Sequence, residues 1–265
     1  MNYWTQLSVE FANQRDYLDQ LYRVYPVAPN LRRELPEDIM NRVETAFTNR
    51  DNENLIRNLL KLDLFPVKDS YVAFLRRDES SIGRNPQTIN RIAGNLYAMG
   101  IDEIYDKCSE PKEANRQMGP MFKNWINRGV LGCPVFDDET AFLRYNGNAV
   151  FNSSDARMKD FATTYLGYTH DKGLDFIGKF NGKYVIGEAK FLTDFGGHQK
   201  DQFNDAINVM NAHLVPNRLG VEVEKIAILD GVLYITGGNA MYTHISSNDE
   251  NIMSTLVLRE YLYSL

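Results

Sequence analysis

Apolar and polar residues in the first half of the chain alternate with the period of an amphipathic helix. Apolar side chains recur every three or four positions in two runs, within residues 43–60 and 89–99. Residues that break helices separate these runs, namely Pro26, Pro29, Pro66, Pro86, Gly100 and Pro111. The pattern therefore predicts a largely helical N-terminal half.

The period changes in the second half. One more helical run covers residues 154–165, with Ser153 or Ser154 available as its N-cap. Two short runs rich in β-branched and aromatic residues follow at 174–180 and 183–191. Asn181-Gly182 separates these two runs, and this pair favours a two-residue turn in which both positions have positive φ. We therefore expect a β-hairpin at this point.

A further helix and a further strand are expected after the hairpin. The helix opens at Gly196-Gly197, and residues 225–235 predict a strand or a pair of strands that turns at Asp230-Gly231. A hairpin whose second strand crosses through a helix to a later strand implies a mixed sheet with helices packed on it. The prediction is an α/β core at residues 151–265 after a helical region at 1–150, or one continuous domain.

Composition narrows the class of protein. The 265 residues are 43% hydrophobic, which is enough to bury a substantial core. No stretch approaches the roughly 18 apolar residues of a membrane span, and the amphipathic start is unlike a signal peptide. The two cysteines and four histidines lack the spacing of a metal site. We expect a soluble, cytoplasmic protein that has no contact with a membrane.

Charge limits the possible partners without excluding DNA. The net charge of −6 argues against indiscriminate binding of nucleic acid. Basic residues nevertheless outnumber acidic ones within residues 68–91 and 107–128. Such stretches are usually solvated faces, but basic patches on acidic proteins also bind DNA.

Two carboxylates and a lysine fall together on the predicted hairpin. If Phe180 faces Lys183 across the turn, the same register carried outwards puts Asp175 directly opposite Glu188. Lys190 lies two residues beyond Glu188 and projects from the same face. The two carboxylates would then have Cβ atoms about 4.5–5.5 Å apart, with an ammonium group beside them.

This arrangement predicts a metal site. Like charges that face each other across a sheet are destabilising, and one ammonium neutralises only half of this charge. A divalent cation between the carboxylates compensates them, and hard oxygen ligands favour Mg²⁺. The alternative is that these are ordinary charges on a solvated strand. Ile177 and Ile186 share the same face, which favours partial burial.

At these residues the chain resembles the PD-(D/E)xK nuclease superfamily, and within it the type II restriction endonucleases. The matching elements are Asp175 early in one strand, Glu188-x-Lys190 in the next, and then a helix and a strand. Leu174 replaces the proline that usually precedes the aspartate in the family. The resemblance implies a mixed-sheet PD-(D/E)xK nuclease core flanked by helices, an α/β fold.

The resemblance also implies a role for each residue. Asp175, Glu188 and the Ala189 carbonyl would coordinate Mg²⁺, which would polarise the scissile phosphate and lower the pKa of the attacking water. Lys190 would orient or help to deprotonate that water and would stabilise charge in the transition state. Asp175, Glu188 and Lys190 are therefore the predicted catalytic residues.

Several polar residues are candidates for contact with DNA. Gln199, Lys200, Gln202 and Asn204 lie at the start of the helix after the hairpin, where a phosphate or base edges could be bound. The alternative is the polar outer face of an amphipathic helix. A second group lies in a segment that resembles the start of a recognition helix: Arg84, Asn85, Gln87 and Arg91. A third group consists of candidates for contact with phosphates: Arg116, Gln117 and Lys123.

These predictions favour a type II restriction endonuclease that cuts double-stranded DNA at a short specific sequence with Mg²⁺. A homodimer would suit a palindromic site, and the helical half would supply dimerisation and DNA contact. One alternative is a structure-selective nuclease of repair or recombination, but the large helical half favours site-specific recognition. Another is a non-catalytic DNA-binding module of the same fold, which the intact Asp, Glu and Lys disfavour.

Overall fold

The protein folds around a six-stranded mixed sheet, and its computed structural model describes residues 1–26, 32–111 and 117–265. Contacts divide the chain into two units. Unit 1 comprises Met1–Val27 and Glu113–Leu265, and unit 2 comprises Ala28–Lys112. Unit 2 therefore stands, in sequence, between the two segments that form unit 1.

The sheet belongs to unit 1, and its strands are adjacent in their sequence order. They are β1 Val135–Phe136, β2 Ala149–Phe151, β3 Phe176–Phe180, β4 Lys183–Leu192, β5 Val223–Gly231 and β6 Ile252–Met253. β2, β3 and β4 pair antiparallel, whereas β1 with β2, β4 with β5 and β5 with β6 pair parallel. The predicted mixed sheet is confirmed.

The helices are numbered along the chain. They are α1 Tyr3–Ala12, α2 Tyr17–Val24, α3 Glu37–Thr48, α4 Asn52–Leu60, α5 Ser70–Arg77, α6 Ser81–Arg84, α7 Pro86–Met99, α8 Ile101–Cys108, α9 Met118–Asn127, α10 Glu139–Arg144, α11 Asp155–Tyr165, α12 Gly197–Met210, α13 Ala240–Ser247 and α14 Thr255–Ser264. A 3-10 helix covers Val232–Tyr234. The helical N-terminal half is confirmed, and Ser154 caps α11 as expected.

The hairpin of β3 and β4 has the register predicted from its turn. Phe180 pairs with Lys183, and the pairs continue outwards to Phe176 with Gly187. Asn181 and Gly182 have φ values of 50° and 87°, as a turn of this type requires. Asp175 lies one residue beyond the last of these pairs, and its N–H donates to the Gly187 carbonyl at 3.1 Å.

The later strand is single. Residues 225–235 were compatible with one strand or with a pair that turns at Asp230-Gly231, and the second possibility is wrong. β5 ends at Gly231, whose φ of 100° favours glycine, and the chain continues as a 3-10 helix. α12 connects β4 to β5, which are parallel, as the predicted crossover requires.

Alternate residues of the hairpin enter two different hydrophobic clusters. Phe176, Phe180 and Val185 belong to one, whereas Ile177 and Ile186 belong to the other. Successive side chains of a strand point to opposite faces, so both faces of the sheet are covered. Each such buried aromatic or aliphatic side chain contributes about 1.5–3 kcal/mol to folding. The hairpin is therefore packed on both of its faces.

The start of unit 1 packs against residues far along the sequence. In α1, Thr5 Oγ1 donates to the Ile252 carbonyl of β6 at 2.7 Å. Asn2 bonds to Asn251 at 3.0 Å, and the Ser254 N–H donates to Ser8 Oγ at 2.9 Å. The first helix therefore packs against the last strand, at the edge of the sheet.

Unit 2 is built from α3 to α8 around its own hydrophobic cluster. That cluster includes Val43, Leu59, Ile89 and Ile92, which lie in the two apolar runs that predicted helices. α7 begins at Pro86, whose fixed φ suits the first turn of a helix. The helical pattern of this part of the sequence is therefore explained by one buried core.

The assignment of dimerisation and DNA contact to residues 1–150, and of the nuclease core to residues 151–265, stays a prediction. Within the described residues, no helix combines the length and apolar character needed to cross a membrane.

Candidate active site

The predicted catalytic residues converge at the open end of the β3–β4 hairpin. Asp175 directly precedes β3, whereas Glu188 and Lys190 lie in β4. Their side chains are 11%, 5% and 24% exposed, respectively. The alternative of ordinary charges on a solvated strand does not fit this burial, since charged groups are rarely buried unless they are paired.

The Lys190 ammonium group bonds to all three oxygen atoms that were predicted as metal ligands. Its Nζ lies 3.1 Å from Asp175 Oδ2, 2.5 Å from Glu188 Oε1 and 3.2 Å from the Ala189 carbonyl oxygen. The Ala189 N–H also donates to Asp175 Oδ2 at 3.0 Å. The hairpin therefore brings the three predicted oxygen ligands to one position, and the Lys190 ammonium group occupies that position.

Burial and charge together set the protonation of this group. Burial and, to a smaller extent, the negative charge of Asp175 raise the pKa of Glu188 to about 7, against the opposing effect of two lysines. Burial by itself lowers the pKa of Lys190. The carboxylates of Asp175 and Glu188 outweigh that effect, so the pKa of Lys190 is raised. Lys190 is consequently charged at neutral pH and acts here as a hydrogen-bond donor.

The donor set fits a hard divalent cation. Two carboxylates and a backbone carbonyl are ligands that Mg²⁺ accepts, with water completing its coordination. The position between them already holds a positive charge, that of Lys190. In the described part of the chain, no group of three or more His, Cys, Asp or Glu side chains is placed to hold a metal ion. The oxygen ligands here include only two such side chains, with Ala189 supplying the third.

A cleft of about 260 Å³ opens beside these residues, which gives space for water and a phosphate group. Asp175, Ala189 and Lys190 form part of its wall. The remaining lining residues come from β4, from α9, α11 and α12, and from the C-terminal end of α2: Tyr25, Met118, Gly119, Pro120, Phe122, Asp155, Phe191 and Gln202. Asp175 and Lys190 are therefore reachable from solvent.

Comparison with known proteins identifies the family. The model of the Tsp45I type II restriction enzyme family matches residues 2–265. The chain belongs to this family. No curated protein and no solved structure was found to match. The resemblance to type II restriction endonucleases is thus confirmed over nearly the whole chain.

Membership of the Tsp45I family assigns the chain to the restriction endonucleases, whose substrate is DNA. In this chain, the geometry of the hairpin brings the predicted triad and the predicted carbonyl ligand to one position.

The candidates on α12 of this Tsp45I-family enzyme differ in their surroundings. Gln202 lines the cleft with Asp175 and Lys190, and it hydrogen-bonds to His198 at 3.1 Å. Lys200 and Asn204 are exposed. Gln199 is buried, and its Oε1 accepts a hydrogen bond from the Thr193 N–H at 3.0 Å. Its burial favours support of the β4–α12 loop over contact with a base.

Lys123 of the enzyme is engaged with the start of α11. Its Nζ donates to the Ser153 carbonyl at 2.8 Å and also bonds to Asp155. Asn152, which is buried, donates to the Lys123 carbonyl at 3.0 Å. Contact with a DNA phosphate would therefore compete with Asp155 for this lysine.

The remaining candidates lie away from the hairpin in sequence. Arg84, Asn85, Gln87 and Arg91 belong to α6, α7 and the junction between them in unit 2, and all four are exposed. Arg84 pairs with Asp78 at 2.5 Å, and Arg91 pairs with Asp69. Gln117 directly precedes α9. Arg116 lies outside the described residues.

Two charged residues at the site were not singled out from the sequence. Asp155 lines the cleft from the first turn of α11, where an acidic residue after a cap is common and carries no catalytic signal. Lys172 lies in the loop before β3, with its Nζ 3.9 Å from Glu188 Oε1. Loop residues have no periodicity, so no pattern could predict that Lys172 lies near Glu188.

Proposed function

We propose that this restriction endonuclease hydrolyses phosphodiester bonds of double-stranded DNA at a short specific sequence in a Mg²⁺-dependent reaction. The observation that carries the proposal is the convergence of Asp175, Glu188 and the Ala189 carbonyl on the Lys190 ammonium. The family supports DNA as the substrate. The cleft beside the hairpin supplies the space for a phosphate.

Each residue has a role that its surroundings support. Asp175, Glu188 and the Ala189 carbonyl would bind the divalent cation. A bound cation would polarise the scissile phosphate and lower the pKa of the attacking water. Lys190 cannot stay between the carboxylates when the cation is bound, because the two positive charges would compete for the same oxygens. We infer that its ammonium then turns to the cleft and stabilises negative charge on the phosphate.

We further propose that DNA is bound by exposed or half-buried polar residues of unit 1 and by exposed polar residues of unit 2. Lys200, Gln202 and Asn204 on α12 would contact DNA next to the scissile phosphate. Arg84, Asn85, Gln87 and Arg91 are offered by α6, α7 and their junction. Their ion pairs with Asp78 and Asp69 would be exchanged for phosphate contacts, which makes binding depend on salt concentration.

Digestion of unmethylated phage DNA tests the proposed reaction. With Mg²⁺ we expect discrete fragments, and with EDTA or with the Lys190→Ala variant we expect none. A smear would contradict site-specific cleavage and favour a structure-selective or non-specific nuclease. Intact DNA in every lane, with folded protein, would contradict the catalytic proposal and favour a DNA-binding module.

We also propose a homodimer that works in the cytoplasm. A two-fold symmetric enzyme suits a palindromic site, because the symmetry of the protein then matches that of the DNA. Both cysteines are free, as is usual where thiols are kept reduced. Sedimentation equilibrium at micromolar concentration should give twice the chain mass of 30.5 kDa. A single-chain mass, with and without cognate DNA, would contradict the dimer.

A further inference from the structure

Lys172 lies in a loop whose path is fixed on both sides of it. The preceding Asp171 forms an ion pair with Lys159 of α11. At the following Gly173, an added Cβ would lie only 2.8 Å from the Asp155 Cβ, so the backbone approaches α11 more closely than a side chain would permit. The backbone next to Lys172 is therefore held close to the start of α11.

The Lys172 side chain bridges α12 and the catalytic hairpin. Its Nζ forms an ion pair with Asp205 of α12 and lies 3.9 Å from Glu188 Oε1. Glu188 Oε1 is also the atom that accepts the 2.5 Å hydrogen bond from Lys190. Within the described residues, Lys172 and Lys190 are the two cations in ion-pair range of Glu188.

The interior offers Glu188 little other support. The nearby Tyr168 is buried, and its hydroxyl makes no hydrogen bond with any part of the chain that the structure describes. The charge of Glu188 adds to the effect of burial in raising the pKa of Tyr168 to about 12. If Lys190 leaves the carboxylates, Lys172 is, among the described residues, the cation that remains within ion-pair range of Glu188.

We propose that Lys172, anchored by Asp205, is a positioning residue that holds the Glu188 carboxylate in the orientation needed to bind the catalytic cation. This inference rests on the proposed function. Residues that orient a metal ligand matter because a free carboxylate must lose rotational freedom each time the metal binds. Lys172 restricts that freedom in advance, from the side of Glu188 that α12 covers.

Binding of Mn²⁺ to the full-length protein, measured by calorimetry without DNA, tests the proposal directly. Removing the ammonium with Lys172→Met should weaken Mn²⁺ binding about 10-fold and slow single-turnover cleavage about 10- to 100-fold. Lys172→Arg keeps the charge and should recover most of both. Asp205→Asn leaves Lys172 in place without its anchor and should give a smaller loss of about threefold to 10-fold.

Lys183→Met is the matched control. Lys183 lies on the same strand as Glu188, pairs with Glu222 and Glu224, and is 30% exposed, compared with 28% for Lys172. We expect this variant to bind Mn²⁺ and cleave DNA as the parent does. The control therefore separates a local effect on Glu188 from the loss of one positive charge.

Several outcomes overturn the proposal. Mn²⁺ binding by Lys172→Met that equals that of Lys183→Met would mean that Lys172 does not position Glu188, and tighter binding would mean that its ammonium only repels the cation. If Lys172→Met does not fold, parent-like Mn²⁺ binding by Asp205→Asn contradicts the anchored arrangement. A parent that binds no Mn²⁺ and cleaves no DNA contradicts the proposed function as well. A parent that does both, with an unaffected Lys172→Met, contradicts this inference alone.

Discussion

Charged side chains are arranged very differently in unit 2 and at the catalytic hairpin. In unit 2 they form pairs of opposite sign at the surface, such as Arg42 with Asp38, whose side chains are 53% and 72% exposed. At the hairpin, Asp175 and Glu188 carry the same sign, are largely buried and share one lysine. The first arrangement costs the fold little, whereas the second is unfavourable to folding.

This difference supports the proposal that the hairpin gives up stability for chemistry. Desolvation and like charge both act on Glu188, and both raise its pKa. Perturbed groups of this kind concentrate in catalytic sites, because a metal or substrate later supplies the missing interaction. The exposed pairs of unit 2 show no comparable conflict. The hairpin is distinguished less by burial itself than by the burial of two carboxylates of like charge that share one lysine.

Asp230 shows why burial alone is not sufficient. It is fully buried at the end of β5, where its carboxylate accepts hydrogen bonds from Tyr25, Ser254 and Thr255. Burial raises its pKa while these donors lower it. These partners are all hydrogen-bond donors, and none of them is a second carboxylate. We therefore interpret Asp230 as structural.

The largest expected effect is on stability, from Asp230→Ala. The change leaves three buried hydroxyls and the Thr255 N–H without their acceptor, and we expect a loss of about 3–5 kcal/mol in the free energy of unfolding. Urea denaturation measures it. Mn²⁺ affinity below the unfolding transition should stay the same. A loss under about 1 kcal/mol would contradict the structural role.

Lys190→Ala should come second. Without metal, it leaves Asp175 and Glu188 facing each other, and we expect a loss of about 2–3 kcal/mol, because protonation of Glu188 limits the repulsion. Added Mn²⁺ should stabilise this variant at least as much as the parent, since no ammonium must be displaced. Thermal denaturation with and without Mn²⁺ measures both effects. Weaker stabilisation of the variant would argue against competition between Lys190 and the metal.

The pH dependence of stability should expose Glu188. Its pKa is about 7 in the folded protein, above the unfolded value, so the folded state binds the proton more strongly. The stability from this proton is complete below about pH 4 and is lost as pH rises through about 7. In EDTA, the free energy of unfolding of the parent should decrease by about 1–3 kcal/mol between about pH 5 and pH 8, and the Glu188→Gln variant should lack this decrease. Identical pH profiles for variant and parent would refute the raised pKa.

The smallest effect is expected from Arg42→Ala. Its pair with Asp38 joins consecutive turns of α3 at the surface, where such pairs contribute about 0.3–0.5 kcal/mol. Urea denaturation should show a change within about 0.5 kcal/mol that becomes smaller in high salt. A loss as large as that of Lys190→Ala would remove the distinction between the two regions.

The hairpin could be predicted because its determinants are local. Asn181-Gly182 specifies the turn, the turn specifies the register, and the register brings Glu188 and Lys190 beside Asp175. The helices followed from their apolar period and from caps such as Ser154. These features need no knowledge of distant parts of the chain.

Other features depend on contacts that no local pattern records. Lys172 reaches Glu188 through the path of a loop. Gln199 looked like a surface residue of an amphipathic helix, yet it is buried because its Oε1 receives the Thr193 N–H. The short strands β1, β2 and β6 have two or three residues each, too few to show an alternating pattern.

The contact between α1 and β6 has a consequence for how the enzyme is made. Thr5 and Ile252 are 247 positions apart, so the first helix finds this partner only after a further 247 residues have been synthesised. At roughly 5–20 residues per second, that interval is about 10–50 s. Contacts of such sequence separation also slow folding. A DNA-cutting enzyme built in this way cannot pair α1 with the edge of its sheet until β6 has been translated.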